Sequence, residues 1–264
     1  MKIGLYGNLD RVKKKDVIDD FAAFLRQNGY NPRLFDQIDD AEVDVLIVLG
    51  GDGTILHIAE TLAKKSIPVI GINYGTLGFL AEFEKEDDAR VLELLRIIEK
   101  GEAHLLEHSM IELQIGEKRY YALNEVSIQR DYTDLQSQMM ETTVKINGER
   151  MINFKGDGAI VCTPTGSTAY SLSAGGAILD PRASVFMLTP LCSFSLHARP
   201  IVFCEKDTLT IDVAYSSSFV LVDGKVVHRF CGEESLIVRK STYSLILPTM
   251  NANGFYDKVE KKLK

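Results

Sequence analysis

The sequence predicts an α/β domain with a doubly wound sheet, followed by a mainly β domain. Over the first 100 residues, branched apolar runs alternate with segments of helical period, as in strands joined by crossover helices. After about residue 105 this gives way to short stretches of alternating apolar and polar residues. In the stretch VLGGDGTIL, Val48 to Leu56, an apolar run ends in three glycines around one aspartate before a helix begins.

Residues 2–7 predict the first strand, and 16–28 a helix with Val17, Phe21, Phe24 and Leu25 on one side and Gly29 as its stop. The continuous run Val45 to Leu49 fits a central parallel strand covered on both faces. A helix over 54–65, a strand over 67–72 and a helix over 87–99 complete the doubly wound pattern. Beyond it, 109–115, 120–128, 142–148 and 209–215 read as strands. Asp223-Gly224 reads as a two-residue hairpin turn between 217–222 and 226–230. These elements predict an α/β domain over 1–100, a mainly β domain over 101–250, and a segment 251–264 that returns to the first.

A length of 264 residues accommodates two domains, and 45% hydrophobic with 25% charged residues is a globular composition. The net charge of -7 argues against nonspecific adhesion to nucleic acid or anionic membrane, so neither is expected as a partner. Cys162, Cys192, Cys204 and Cys231 lack CxxC spacing, which signals neither a zinc site nor a redox pair, and the five histidines are not spaced for a metal. The opening apolar run is too short for a secretion signal and no stretch reaches membrane-spanning length, so reduced thiols in the cytoplasm are expected.

A strand, a glycine turn and a helix N-terminus together suggest a phosphate cradle, since the first helical amides have no partners within the helix. Gly50, Gly51, Gly53 and Thr54 supply such a backbone, yet GxGxxG and Gly-Lys-Ser/Thr are both missing. Asp52 repels phosphate unless a cation intervenes, so it is read as orienting a metal or taking a proton from a hydroxyl. A second glycine loop, NYGTLGFL from Asn73 to Leu80, leaves the next strand at the same sheet edge. His57 lies off the stripe of Ile55, Ala59 and Leu62, either at the mouth of this site against phosphate or simply at the surface.

Asn124 and Glu125 interrupt an apolar run, Tyr120 to Ile128, so unless the strand is a wet edge one of them meets a core or cleft. An amide there suits a purine edge or ribose, and a carboxylate suits hydroxyls. The segment TPTGSTAYSLSAGG, 163–176, crowds Ser167, Thr168, Ser171 and Ser173 at a helix start, with Tyr170 able to stack on a base. A small-residue helix packed on the sheet accounts for Ala174, Gly175 and Gly176 but leaves the hydroxyls unexplained.

Taken in order, GGDGT, NYGTLGFL, NEV, KGDGAIVCTPTGSTAYSLSAGG and VDG resemble the motifs of the NAD kinase family over roughly residues 45–225. GGDGT alone also resembles lipid kinases and phosphofructokinases, but its coupling to TPTGSTAYSLSAGG is specific. The resemblance implies a Rossmann-like first domain, a mainly β second domain, and transfer of the ATP γ-phosphoryl group to the adenosine ribose 2′-hydroxyl of NAD, giving NADP. ATP is expected with Mg²⁺ or another divalent cation. By resemblance Asp52 is the proton acceptor, Gly53 a backbone contact, and Asn124 and Glu125 hold NAD. Asp157 and the segment Thr168, Ala169, Tyr170, Ser171, Leu172, Ser173 are implied as further dinucleotide contacts, with Asp157 reaching its own or a neighbouring subunit's ligand in a homodimer or homotetramer. Lys155 stands where the family often has arginine or histidine, and His57 where arginine or lysine is common, which alters the strength and pH dependence of those contacts. A lipid or sugar kinase would share the glycine-aspartate turn but need an apolar or phosphate-binding acceptor pocket. A dinucleotide sensor would keep Asn124 and 163–176 without needing Asp52.

Overall fold

The computed structural model describes residues 1–7, 13–75, 78–133, 139–214, 217–231, 234–251 and 254–262. The chain forms two compact units, Met1–Glu107 with Tyr243–Lys264, and His108–Thr242. In the first lie β1 (Ile3–Gly7), α1 (Lys13–Gln27), β2 (Arg33–Phe35), β3 (Val45–Gly50), α2 (Asp52–Lys65), β4 (Val69–Asn73), β5 (Phe83–Glu84) and α3 (Asp88–Glu99). The sheet order is β2-β1-β3-β4-β5 with every pairing parallel, a Rossmann-like arrangement.

Every residue of β3 is buried because helices cover both faces of this sheet. Phe21 and Leu25 of α1 and Val91 and Leu95 of α3 pack with Val45, Ile47 and Leu49 on one face. On the other face Ile55 of α2 lies against Gly71, where a Cβ would already crowd it. The strand order reverses between β1 and β3, and open sheets of this kind bind ligands beyond the carboxyl ends of strands at such a reversal. The chain enters Gly51 and Asp52 directly from that end of β3.

The chain continues with β6 (His104–Ile115), β7 (Lys118–Ala122), β8 (Glu125–Arg130), β9 (Met140–Ile146), β10 (Glu149–Gly156), β11 (Gly158–Cys162), α4 (Tyr170–Ser173), β12 (Val185–Leu191) and β13 (Ile201–Cys204). It ends with β14 (Leu209–Ala214), β15 (Ser217–Val222), β16 (Lys225–Cys231), β17 (Glu234–Thr249) and α5 (Gly254–Lys262). Two six-stranded sheets result, ordered β10-β9-β14-β17-β6-β7 and β13-β12-β11-β8-β15-β16. Their inner faces share one core, with Ile111, Val144 and Ile211 from the first and Val126, Val161 and Phe186 from the second.

Tyr120 to Ile128, expected as one strand, is two. β7 stops at Ala122, the chain changes sheet through Leu123 and Asn124, and β8 begins at Glu125. Ala122 and Val126 both point into the shared core, so the apolar pattern continues across a break in the hydrogen bonding. Asp223 closes that break: its carboxylate accepts from the amides of Leu123, Asn124 and Glu125 at 2.9, 2.8 and 3.1 Å. The expected hairpin is present, with Val222 opposite Lys225 and Asp223 in the left-handed region at φ 47°.

Candidate active site

Asp52 is the first residue of α2, two residues earlier than the expected helix start, and stands at the positive end of the helix dipole. The second glycine loop folds over it. Oδ2 accepts from the Phe79 amide at 2.6 Å, and Oδ1 from Leu80 and Ala81 at 3.0 and 3.4 Å. Gly78 permits this approach, since a Cβ there would overlap the carboxylate. A carboxylate has about four lone-pair positions, so Oδ2, with one amide bond among the described residues, can still receive a hydroxyl. Gly53 is exposed with open space where a Cβ would stand, so a ligand can approach the backbone there. Thr54 packs over Gly50, and His57 is exposed one turn further along α2. Asn73 is buried and shapes its own loop, its Oδ1 accepting from Gly75 at 3.0 Å and its Nδ2 donating to Glu84 at 3.1 Å.

In the second unit, Glu125 lies opposite Cys162 on the sheet face that points away from the shared core. That face is covered by 165–179, with Ala174 and Leu179 packed over Ile160 and Cys162. Glu125 is 7% exposed and accepts the backbone amide of Tyr170, while its Oε2 has no hydrogen-bond partner among the described residues. Burial, together with the nearby Asp223 charge, pushes its carboxyl up to about 7. A buried oxygen left open in this way has capacity for one more hydrogen-bond partner.

Asn124 is held beside it. Its carbonyl accepts from Thr163 N at 2.9 Å, and Gly166 lies so close that a Cβ would collide with that carbonyl. Ser171 Oγ bonds Thr189 Oγ1 at 2.9 Å, and Ser167 Oγ donates to Pro164 O at 2.6 Å. The Ser171 hydroxyl therefore ties the segment to β12, and that of Ser167 closes a turn within it. Thr168 donates to Thr165 O at 3.2 Å, and the Tyr170 ring is 39% exposed, which leaves a face for stacking. Ala169 caps α4, in which Leu172 and Ser173 are half-buried and exposed respectively.

Asp157 and Lys155 belong elsewhere. Gly158 pairs with Gln129 and Cys162 with Glu125, so Asp157 lies just beyond the opposite end of β11 from the Asn124–Glu125 cluster, roughly 17 Å away at about 3.4 Å per residue. Asp157 faces Arg130 at 3.7 Å, and Lys155 on the edge strand β10 faces Glu141 at 3.6 Å. Two contributors escaped the sequence reading, Asp223 as the anchor of the Asn124 bend and Lys258, whose ammonium bonds the loop over Asp52. The Phe255 and Val259 spacing on either side of Lys258 is the local signal for a short helix.

Among the described residues, no group of three or more His, Cys, Asp or Glu side chains is arranged to hold a metal, and no helix is long and apolar enough to cross a membrane. Residues 7–103 match the family profile of the ATP-NAD kinase N-terminal domain, and 123–248 that of the ATP-NAD kinase C-terminal domain. An NAD kinase of Caldicellulosiruptor bescii is 33% identical, with 100% of each chain covered. One from Methanothermobacter thermautotrophicus is 30% identical over 100% of this chain and 96% of its own. Among solved structures, an Archaeoglobus fulgidus NAD kinase in complex with ATP matches with TM-score 0.80 and 25% identity over 100% of this chain and 98% of that one. Yeast NADH kinase complexed with NADH shares the fold, with TM-score 0.86 and 23% identity over 100% and 87%.

Proposed function

The chain belongs to the ATP-NAD kinase family, and from that premise we propose that it transfers the γ-phosphoryl group of ATP to the adenosine ribose 2′-hydroxyl of NAD, giving NADP and ADP. As an enzyme of this family it acts on NAD with ATP. The observation that carries the residue assignment is Asp52, fixed by three backbone amides at a helix N-terminus with acceptor capacity left on Oδ2.

The ribose oxygen forms a bond to the γ-phosphorus as the bond to the bridging oxygen of ADP breaks. The hydroxyl is too weak an acid to ionise beforehand, so Asp52 receives its proton as the new bond forms. The amides at 51–53 face the phosphate charge, that of Thr54 being used on Gly51 O at 2.9 Å, while Gly53 gives the ligand backbone access and His57 is the nearby donor on α2. Asn124 and the open Oε2 of Glu125 hold the dinucleotide by its hydrogen-bonding groups, and Tyr170 offers a stacking face. Mg²⁺ comes with ATP, whose phosphate oxygens are its preferred ligands, and offsets charge on the triphosphate.

The test is incubation of the protein with NAD, ATP and Mg²⁺. NADP would be quantified with an NADP-specific dehydrogenase, and the phosphate position read by NMR. Phosphate on the 2′-oxygen is the expected result. Tight NAD binding with no NADP from either ATP or polyphosphate would establish a sensor instead.

We place the working enzyme in the cytoplasm as a homo-oligomer. Cys162, Cys192 and Cys204 are free thiols, and Phe194 and Leu196 stand 82% and 80% exposed in one loop, an apolar pair suited to a subunit contact. Asp157 and Lys155 then serve a neighbouring subunit's ligand, consistent with their distance from Glu125 along the sheet. Light scattering is expected to give at least a dimer mass, and a monomer at assay concentration would remove this arrangement.

A further inference from the structure

Lys258 of α5 donates to the carbonyls of Phe79 at 2.9 Å and Ala81 at 2.7 Å. The amides of those two residues and of Leu80 between them are the donors that hold Asp52. The peptide joining Phe79 to Leu80 is therefore bracketed by opposite charges, with its oxygen on the Lys258 ammonium and its N–H on Asp52 Oδ1 at 3.0 Å. Each bond polarises the peptide in the sense that strengthens the other. Turning that peptide over would present its carbonyl to the carboxylate and its N–H to the ammonium, two repulsive contacts in place of two attractive ones. The helix also grips the side chain of this loop: the Phe79 ring lies 5.9 Å from that of Phe255, and Lys262 Nζ stands 4.1 Å from its centroid.

The geometry points to Lys258 as a positioning residue for phosphoryl transfer, one that locks the Phe79–Leu80 peptide and through it the direction in which Asp52 presents its free lone pair. This role rests on Asp52 as the proton acceptor. Lys258 touches neither NAD nor ATP in this scheme, so its removal acts on the chemical step and leaves substrate affinity in place. Burial lowers the ammonium's pKa, opposed by the negative charges of Asp52, Glu82 and Glu84, which keep a cation favourable at this point.

The experiment compares Lys258→Met, Lys258→Arg and Asp52→Asn with the wild type, each assayed at a temperature where circular dichroism shows it folded. Lys258→Met keeps the apolar stem and loses the donors. It is expected to lower kcat by about 10- to 100-fold, the effect of losing hydrogen bonds from a charged group, with KM for NAD and for ATP within about threefold. Lys258→Arg restores a cation with several donors and is expected to recover kcat to within about fivefold. Wild-type kcat in Lys258→Met beside an inactive Asp52→Asn would overturn the role of the lysine alone. So would a loss confined to KM, or an arginine variant no better than the methionine one. Wild-type turnover in Asp52→Asn would instead withdraw the reading of Asp52, and the role of Lys258 with it.

Discussion

Asp52→Asn is expected to lower kcat by about 10²- to 10⁴-fold, the range spanned by removal of a general base, while NAD affinity stays within a few-fold of wild type. The substitution is not silent structurally. Both carboxylate oxygens accept amide hydrogens, at 2.6 Å from Phe79 and 3.0 Å from Leu80, whereas asparagine has one acceptor oxygen and turns a donor toward one of those amides. A stability loss of about 1 to 3 kcal/mol is expected from that conflict, read as a lower unfolding midpoint. Isothermal titration with NAD beside steady-state kinetics separates the two effects. Parallel loss of affinity and turnover would make Asp52 an anchor for the 79–81 loop and leave the base unassigned.

Glu125→Gln is expected to move stability and affinity in opposite directions. The folded protein binds the Glu125 proton more tightly than an unfolded chain does, with a carboxyl near 7 against an ordinary 4.5. That contribution is complete below about pH 4.5 and is lost as pH rises through 7, because the native state then has to carry a buried charge. The shift corresponds to about 3 kcal/mol, so above pH 8 the glutamine variant should be the more stable by up to that amount, and its stability should vary less with pH between 5 and 7. NAD donors favour the ionised carboxylate, so wild-type affinity should fall by up to about tenfold per unit as pH drops below 7, with the variant weaker by roughly 10- to 100-fold at pH 8. Denaturant titrations and calorimetry across pH 5 to 8 measure both. Stability curves that ran parallel for the two proteins would show that Glu125 is not the titrating group.

The parts of the fold that were legible in the sequence are those whose causes are local. Val45 to Leu49 announces a strand covered on both faces and Asp223-Gly224 the hairpin, each within a few residues of its own signal, whereas the turn expected over Gly50 to Gly53 shrinks to Gly51 between β3 and α2. β2 and β5, with three and two residues, are too short to show a period. β12 contains Pro190, which argues against a strand paired on both sides. It is tolerated because β13 pairs only with 185–188, so the side on which Pro190 lacks a donor carries no partner strand there. Near the site, what could not be read is long-range. Asp223 acts on amides 98 to 100 residues away, and Lys258 on a carbonyl 179 residues away, and no window of sequence contains either pair.

The C-terminal helix gives this enzyme an order of assembly as well as a shape. The glycine turn and the loop that folds over Asp52 emerge early in synthesis, yet the ammonium that orients their peptide belongs to α5, which follows the whole of the second unit in the chain. A chain cut after β17 would thus carry Asp52 and the amides of Phe79, Leu80 and Ala81 that bind it, but not the ammonium on the carbonyls of Phe79 and Ala81. On the proposed role of Lys258, such a fragment should show the slowed turnover expected of Lys258→Met, because it lacks the same ammonium.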